Sequence, residues 1–399
     1  MKMNIKLTAI IIFLLSCYLI HGQNIHNSNS NNFDSISRDL KRIYERNELA
    51  GFAVSIFGKD SIFYQSGFGY ADKSKKIPYT VSSNQLIASI SKTFIGVSLM
   101  IAIEQNKMKL DDDVNEYLNF KVINPNFPDT KITLRHLANH TSGITDPKSY
   151  NKTYLFSKKL KKKNWPQQWH DYLKIYNRNK DIPLEKFLEN SLSEKGIWFE
   201  DDTYSEKASG TDYEYSNLGS SLLALAISNA VKESYKEFVK KNIFQPLRMD
   251  ATSWDNNFVA EDLRVTYYIE NGNPIPDYRI LTYPDGGIYS SVGDLTKYCQ
   301  EMIKCSIGQG KILTKKSFLT MTKPQSISND FPDAICWDLS FAPLIGHAGN
   351  EFGSSTLMYF NPKSGIGQIL FSNNSIGSLK QEKAFFDIFN LLFKYDFKN

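Results

Sequence analysis

Residues 7–20 are almost wholly apolar, preceded by Lys2 and Lys6 and followed by polar His21-Gly22-Gln23. A run this short does not span a bilayer comfortably. With its basic flank it predicts a secretory signal, residues 1–22, cut after Gly22. A retained anchor is one alternative. A lipoprotein signal is another, with Leu14-Leu15-Ser16-Cys17 as the lipobox and Cys17 lipidated, although the apolar run continues through Tyr18-Leu19-Ile20. Each reading predicts export, with the periplasm as the destination. Residues 23–32, rich in Asn and Ser, predict a polar tether reaching to about residue 34, before a folded body over 35–395.

Within that body the pattern predicts a helix over 35–48. Phe52-Ala53-Val54-Ser55-Ile56-Phe57 predicts a strand, Gly58-Lys59-Asp60 a hairpin turn, and residues 61–68 the partner strand. Residues 93–104 are apolar nearly all round, the mark of a helix buried at the centre of a domain. The middle of the chain, to about residue 280, reads as helices and loops. Residues 354–360 and 366–371 predict two strands joined by Asn361-Pro362-Lys363-Ser364-Gly365. Strands at both ends with helices between imply an α+β fold. An antiparallel sheet is built from both chain ends (about 35–95 and 285–395), is flanked by helices, and carries a mostly helical insertion (about 96–284).

Composition narrows the function. The 399 residues are 41% hydrophobic and 13% aromatic, which excludes wholesale disorder. Four cysteines cannot staple a chain of this length, and Cys299 and Cys305 do not share a helix face neatly. The net charge is +5, falling to +3 without Lys2 and Lys6, too mild to argue for nucleic acid. The lysine-rich run 158–163 reads as a solvated face. No CxxC or HExxH occurs, so no metal site is expected, nor any organic cofactor.

Candidate chemistry begins at Ser89-Ile90-Ser91-Lys92, which opens the apolar helix. Ser89 and Lys92 stand one helical turn apart on one face. A serine hydroxyl needs a base, and desolvation would lower the lysine pKa far enough for it to serve. The helix N-terminus favours developing negative charge. Ser149-Tyr150-Asn151-Lys152 repeats the pattern in a polar stretch and is read as chance. A second element is Tyr215-Ser216-Asn217: the tyrosine as proton shuttle, the asparagine as a partner for a substrate amide or the lysine. A third is His347-Ala348-Gly349, where a strand edge can offer a backbone N–H to an oxyanion and glycine permits close approach. Tyr117-Leu118-Asn119, Tyr359-Phe360-Asn361 and Lys363-Ser364-Gly365 match these short patterns in less suitable places.

Taken in order, 126 and 132 residues apart, Ser89-x-x-Lys92, Tyr215-x-Asn217 and His347-x-Gly349 resemble the penicillin-recognising serine hydrolases. That superfamily holds class C β-lactamases, D-alanyl-D-alanine carboxypeptidases, D-aminopeptidases and related esterases. Gly67-Phe68-Gly69-Tyr70-Ala71-Asp72, Ile132-Thr133-Leu134-Arg135-His136-Leu137 running into His140-Thr141-Ser142-Gly143-Ile144, Ile243-Phe244-Gln245-Pro246-Leu247 and Pro284-Asp285-Gly286-Gly287-Ile288 extend the likeness. The resemblance implies the sheet-plus-helical-domain fold with the active site between the two parts. Ser89 would be the nucleophile, and Lys92 and Tyr215 its proton relay, with either as the base in acylation. Asn217 and His347 would bind substrate, beside Gly349. The N–H groups of Ser89 and Asn350 would form an oxyanion hole. It implies a small-molecule or peptide substrate and leaves cell-wall contact and oligomeric state open.

Two departures stand out. His347 occupies the place of a lysine in the lysine-bearing relatives, and a neutral imidazole holds a carboxylate less well. This leans toward an esterase or peptidase-like hydrolase, with poor β-lactam turnover. Arg248 stands where relatives usually have glycine after Pro-Leu. No Gly-x-Ser-x-Gly elbow occurs. The rival from another class is an exported sensor or peptidoglycan-binding protein that keeps only the fold.

Overall fold

The computed structural model describes residues 29–325 and 333–395, with side chains from residue 33. The expected signal, its expected cut site and the lipobox pattern lie outside the described residues. Helix α1 (Asn29–Tyr44) leads into β1 (Gly51–Phe57) and β2 (Ile62–Asp72), then the short β3 (Ile77–Pro78). The far end of the chain returns as β8 (Ile345–Glu351), β9 (Ser354–Asn361) and β10 (Ile366–Ser372). These six form one antiparallel sheet in the order β3-β2-β1-β10-β9-β8. The two chain ends join at its centre, where Val54 faces Leu370 across β1 and β10.

Every residue of β1 is buried, because both faces of the sheet are covered. Phe52, Val54 and Ile56 pack with α1 and the C-terminal α5 (Leu379–Leu391), through Ile36, Leu40, Phe385 and Ile388. Ala53 and Phe57 face the larger core, which is shared with α4 (Val292–Ile307). On that side the buried Ser55 finds a polar partner, the Thr296 hydroxyl at 3.0 Å. Period two therefore splits one strand between two cores.

Helix α2 (Ser91–Glu104) is buried around its circumference from Ser91 to Ala102. It packs on α3 (Asn217–Val231) and, through Phe94, stacks on Tyr298 of α4 at 4.1 Å. Two small ribbons tie the helical part to the sheet: β4 (Gln85–Leu86) with β7 (Tyr289–Ser290), and β5 (Tyr154–Phe156) with β6 (Tyr278–Ile280).

Some boundaries move. The first helix takes in residues 29–32, which composition assigns to the tether, and stops at Tyr44, where Asn47 turns left-handed at φ 60°. β2 runs on to Asp72, past the expected residue 68, because it must pair with β3 as well as β1. The ribbon β5/β6 has no alternating signal, since its partners Tyr154 and Ile280 lie 126 residues apart and three residues are too few to show a period.

Candidate active site

The segment entering α2 is held on every side. Ile87 N–H donates to the Ile288 carbonyl at 2.9 Å, and the Ile87 carbonyl accepts from Thr356 Oγ1 at 2.9 Å. The Leu86 carbonyl accepts from Ser354 Oγ at 2.6 Å. Ala88 is forced to φ +50°, a left-handed conformation that costs an alanine about 1–2 kcal/mol. A single turn, Ala88–Ile90, then presents Ser89 half-buried at the mouth of α2. Strain held next to a reactive group by surrounding contacts is a common mark of a functional turn.

Lys92 sits one turn on, fully buried. Its Nζ donates to Asn217 Oδ1 at 2.6 Å, to the Asp285 carbonyl at 2.8 Å and to Ser89 Oγ at 3.2 Å. Three acceptors are what an ammonium group needs. Burial alone would lower the lysine pKa, but the acidic groups Tyr215, Asp285 and Asp146 beside it outweigh burial and hold Lys92 above its ordinary value. The expectation of a lysine made neutral by desolvation is therefore corrected: the apolar helix supplies the stem's surroundings, but acidic groups from three other segments surround the head.

The Tyr215 hydroxyl donates to Ser89 Oγ at 2.9 Å, and Lys92 Nζ lies 5.0 Å from the centre of its ring. Burial raises the phenol pKa, opposed by Lys92, so Tyr215 is neutral at pH 7. The imidazole of His140 packs on the tyrosine ring at 4.4 Å, and its Nδ1 accepts from the Ser216 N–H at 3.2 Å. Asn217 opens α3, and the carboxylate of Asp146 caps that helix start. It accepts from Asn217 N–H at 2.9 Å, Leu218 N–H at 3.0 Å and Asn217 Nδ2 at 2.8 Å. That last bond fixes the amide so that its oxygen faces Lys92. Burial raises the Asp146 pKa despite these bonds. Burial also brings Asp285 up to about 6, while its carboxylate accepts from Ser221 at 3.0 Å and Tyr150 at 3.2 Å.

His347, Gly349 and Asn350 lie on β8, the edge strand, which runs along the Ala88–Ile90 turn. A Cβ on Gly349 would stand 2.3 Å from the Ile87 carbonyl oxygen, so only glycine allows this approach. The His347 Nδ1 is 2.5 Å from the Ala348 carbonyl. A carbonyl only accepts, so Nδ1 carries the proton and Nε2 is left as an acceptor. Burial, with Lys92 adding to it and Asp338 opposing, lowers the imidazole pKa to about 4. The Gly346 N–H points away from β9, to the Asp338 carbonyl at 3.1 Å. Strand alternation therefore turns the Asn350 N–H to the same open edge. The Asn350 side chain is exposed, and its Oδ1 accepts from Ser355 at 3.3 Å.

The structure thus brings Ser89, Lys92, Tyr215 and Asn217 into one hydrogen-bonded group, with His347, Gly349 and Asn350 on the strand alongside. The second Ser-x-x-Lys does not assemble: Ser149 N–H donates to Glu200 at 2.7 Å, and Lys152 lies over the Trp198 ring. Arg248 takes φ +54°, which accounts for the glycine usual there; its carbonyl accepts from Lys297 at 2.6 Å. Asp146 belongs to none of the sequence motifs, and His140 and Asp285 stand only within the longer stretches. Their sole signal was proximity to those stretches, because a buried carboxylate looks like a surface one until the fold surrounds it. Among the described residues the free cysteines Cys299, Cys305 and Cys336 are buried, and no group of three His, Cys, Asp or Glu could hold a metal ion.

The beta-lactamase family model matches residues 36–388. The chain belongs to the beta-lactamase family. It is 28% identical over 337 residues to penicillin-binding protein 4* of Bacillus subtilis, covering 79% of this chain and 66% of that one. Against protein flp of Staphylococcus aureus strain MRSA252 it is 23% identical over 334 residues, covering 82% of this chain. The chain spans about 60% of the length of the flp relatives it matches. Among solved structures, the octameric penicillin-binding protein homologue of Pyrococcus abyssi superposes with a TM-score of 0.70 at 23% identity, over 90% of this chain and 77% of that one. A class C beta-lactamase gives 0.67 at 19% identity, over 92% and 98%. At these identities the structural likeness establishes the fold: an antiparallel sheet flanked by helices, with a helical insertion.

Proposed function

We propose that the protein is a serine hydrolase that cleaves ester or amide bonds through an acyl-enzyme on Ser89. The observation that supports this most is the pair of contacts on one hydroxyl, Tyr215 at 2.9 Å and Lys92 at 3.2 Å. In molecules whose Lys92–Tyr215 pair has lost one proton, Ser89 Oγ attacks the substrate carbonyl and its proton passes into that pair. The developing oxyanion meets the N–H groups of Ser89 and Asn350. Collapse expels the leaving group, which takes that proton. Water then adds to the acyl carbon, gives a proton back to the pair, and releases the acid and Ser89.

His347 bears on the substrate. Neutral above about pH 5, with Nε2 as an acceptor, it offers a carboxylate no cation. Loss of a charge-assisted bond costs about 1.5–3 kcal/mol, roughly ten- to a hundredfold in binding. Short-chain p-nitrophenyl esters should be hydrolysed, penicillins and cephalosporins poorly, and His347→Lys should shift the ratio toward carboxylate-bearing substrates. Efficient cephalosporin turnover by the unaltered protein would refute this reading of the histidine.

We also propose export, with residues 1–22 removed, on the strength of the basic and apolar N-terminal pattern. The intact mass of protein from the periplasmic fraction tests it. A chain starting at Gln23 is expected, and one starting at a lipidated Cys17 would establish the lipoprotein alternative. A full-length chain would overturn both.

A further inference from the structure

Along β8, His347, Gly349 and Glu351 share one face, the face laid against the Ala88–Ile90 turn. The third of these has no role in the acylation chemistry. A Cβ placed on Gly286 would be 3.4 Å from Glu351 Oε1 and 3.8 Å from the Ala88 carbonyl carbon, so the carboxyl lies one residue's width from the turn that presents Ser89. It is half-buried, beside the Tyr154 hydroxyl, and within reach of the Lys92 charge.

Its position is fixed from behind. Phe352 is set among Trp169, Tyr154 and Trp165 with ring centres 4.9, 5.1 and 5.3 Å away. Its carbonyl accepts from Tyr278 at 2.9 Å, and Gly353 turns at φ +72° against Tyr267. An aromatic wall thus roots the strand end that carries the carboxyl.

The charges in the cleft are uneven. Lys92 faces three acids: Asp146, Asp285 and Glu351. Its three N–H bonds are taken by Ser89, Asn217 and the Asp285 carbonyl. Asp146 is satisfied by the start of α3, and Asp285 by Ser221 and Tyr150. None of the ion pairs among the described residues includes Glu351.

We propose that Glu351 is a specificity-determining residue that selects acyl groups carrying a protonated amine beside the carbonyl attacked by Ser89, that is, amino-acyl esters or amides. The inference rests on the acyl-enzyme reading above. Asn350, whose N–H takes the carbonyl oxygen in that reading, is the neighbour of Glu351, so an amine on the α-carbon falls nearest the carboxyl. Burial and the Asp285 charge raise the free carboxyl to about 8, so it is largely protonated at pH 7, and an arriving ammonium supplies the countercharge that lets it ionise. The acceptor Nε2 of His347 works in the same direction. A carboxylate in that position would meet acceptors and acids.

The test is the ratio of kcat/KM for alanine benzyl ester to that for benzyl propionate at pH 7, followed by benzyl alcohol release. The two differ only in the amine. A wild-type ratio above about tenfold is expected, falling by about tenfold or more in Glu351→Gln and largely kept in Glu351→Asp; a contact between charged groups is of that size. A wild-type ratio near one, or a ratio unchanged in Glu351→Gln, would overturn the inference while leaving the hydrolase reading intact. Absence of hydrolysis of either ester by the wild type would overturn both.

Discussion

Ser89→Ala is expected to lower ester hydrolysis by at least ~10³-fold with no loss of thermal stability. The substitution removes one oxygen from a half-buried position and no core volume. The turn that carries it is held by the backbone contacts of Leu86 and Ile87, not by the hydroxyl. The hydroxyl is also where Lys92 and Tyr215 converge, so its loss leaves the relay with nothing to act on. Ser149→Ala is the matched control. Its oxygen is buried without a partner, and its lysine is engaged with Trp198. Rates should then be unchanged. Hydrolysis that survives in Ser89→Ala, or vanishes in Ser149→Ala, would show that the wrong serine has been chosen.

Lys92→Met should be nearly as costly for activity and, unlike Ser89→Ala, should also destabilise the fold. Methionine replaces the buried stem but not the charge. Asp146 and Asp285 then lose their nearest cation, and removing one partner from a buried ionic group costs about 3–5 kcal/mol. The sign of the pH dependence follows from Asp285. Its folded pKa of about 6 lies above the ordinary 3.8, so the folded state binds the extra proton and stability from this group declines as pH rises through that range. Without Lys92 the folded pKa moves up further and the decline extends to higher pH. Chemical denaturation should therefore show a larger deficit at pH 8 than at pH 5. In the wild type the charged Lys92 predicts that kcat/KM continues to rise above pH 8, as the relay loses its proton. A profile flat from pH 6 to 10, or Lys92→Met labelled by a fluorophosphonate at the wild-type rate, would exclude the lysine from the proton path.

Much of this arrangement could be read before any coordinates. β1, β9, β10 and the buried α2 were legible because strands covered on both faces, and helices covered all round, write long apolar runs into the chain. Ser89 and Lys92 were legible because one helix holds both at fixed spacing. What brings Tyr215 to them was not, since it depends on Asp146 capping α3 from a loop 71 residues earlier. The charge state of Lys92 is illegible for the same reason: local sequence shows the apolar stem, and only the fold shows Asp285 and Asp146 around the head. Glu351 is illegible in the sequence because one acidic residue at a strand end carries no pattern; its meaning lies in what faces it.

The most direct test of the central claim is to treat the protein with a fluorophosphonate, measure the intact mass, and map the modified peptide. The account predicts one adduct per chain, on Ser89, formed only in the folded protein and absent from Ser89→Ala. An adduct on another residue, or no adduct on folded protein, would contradict it.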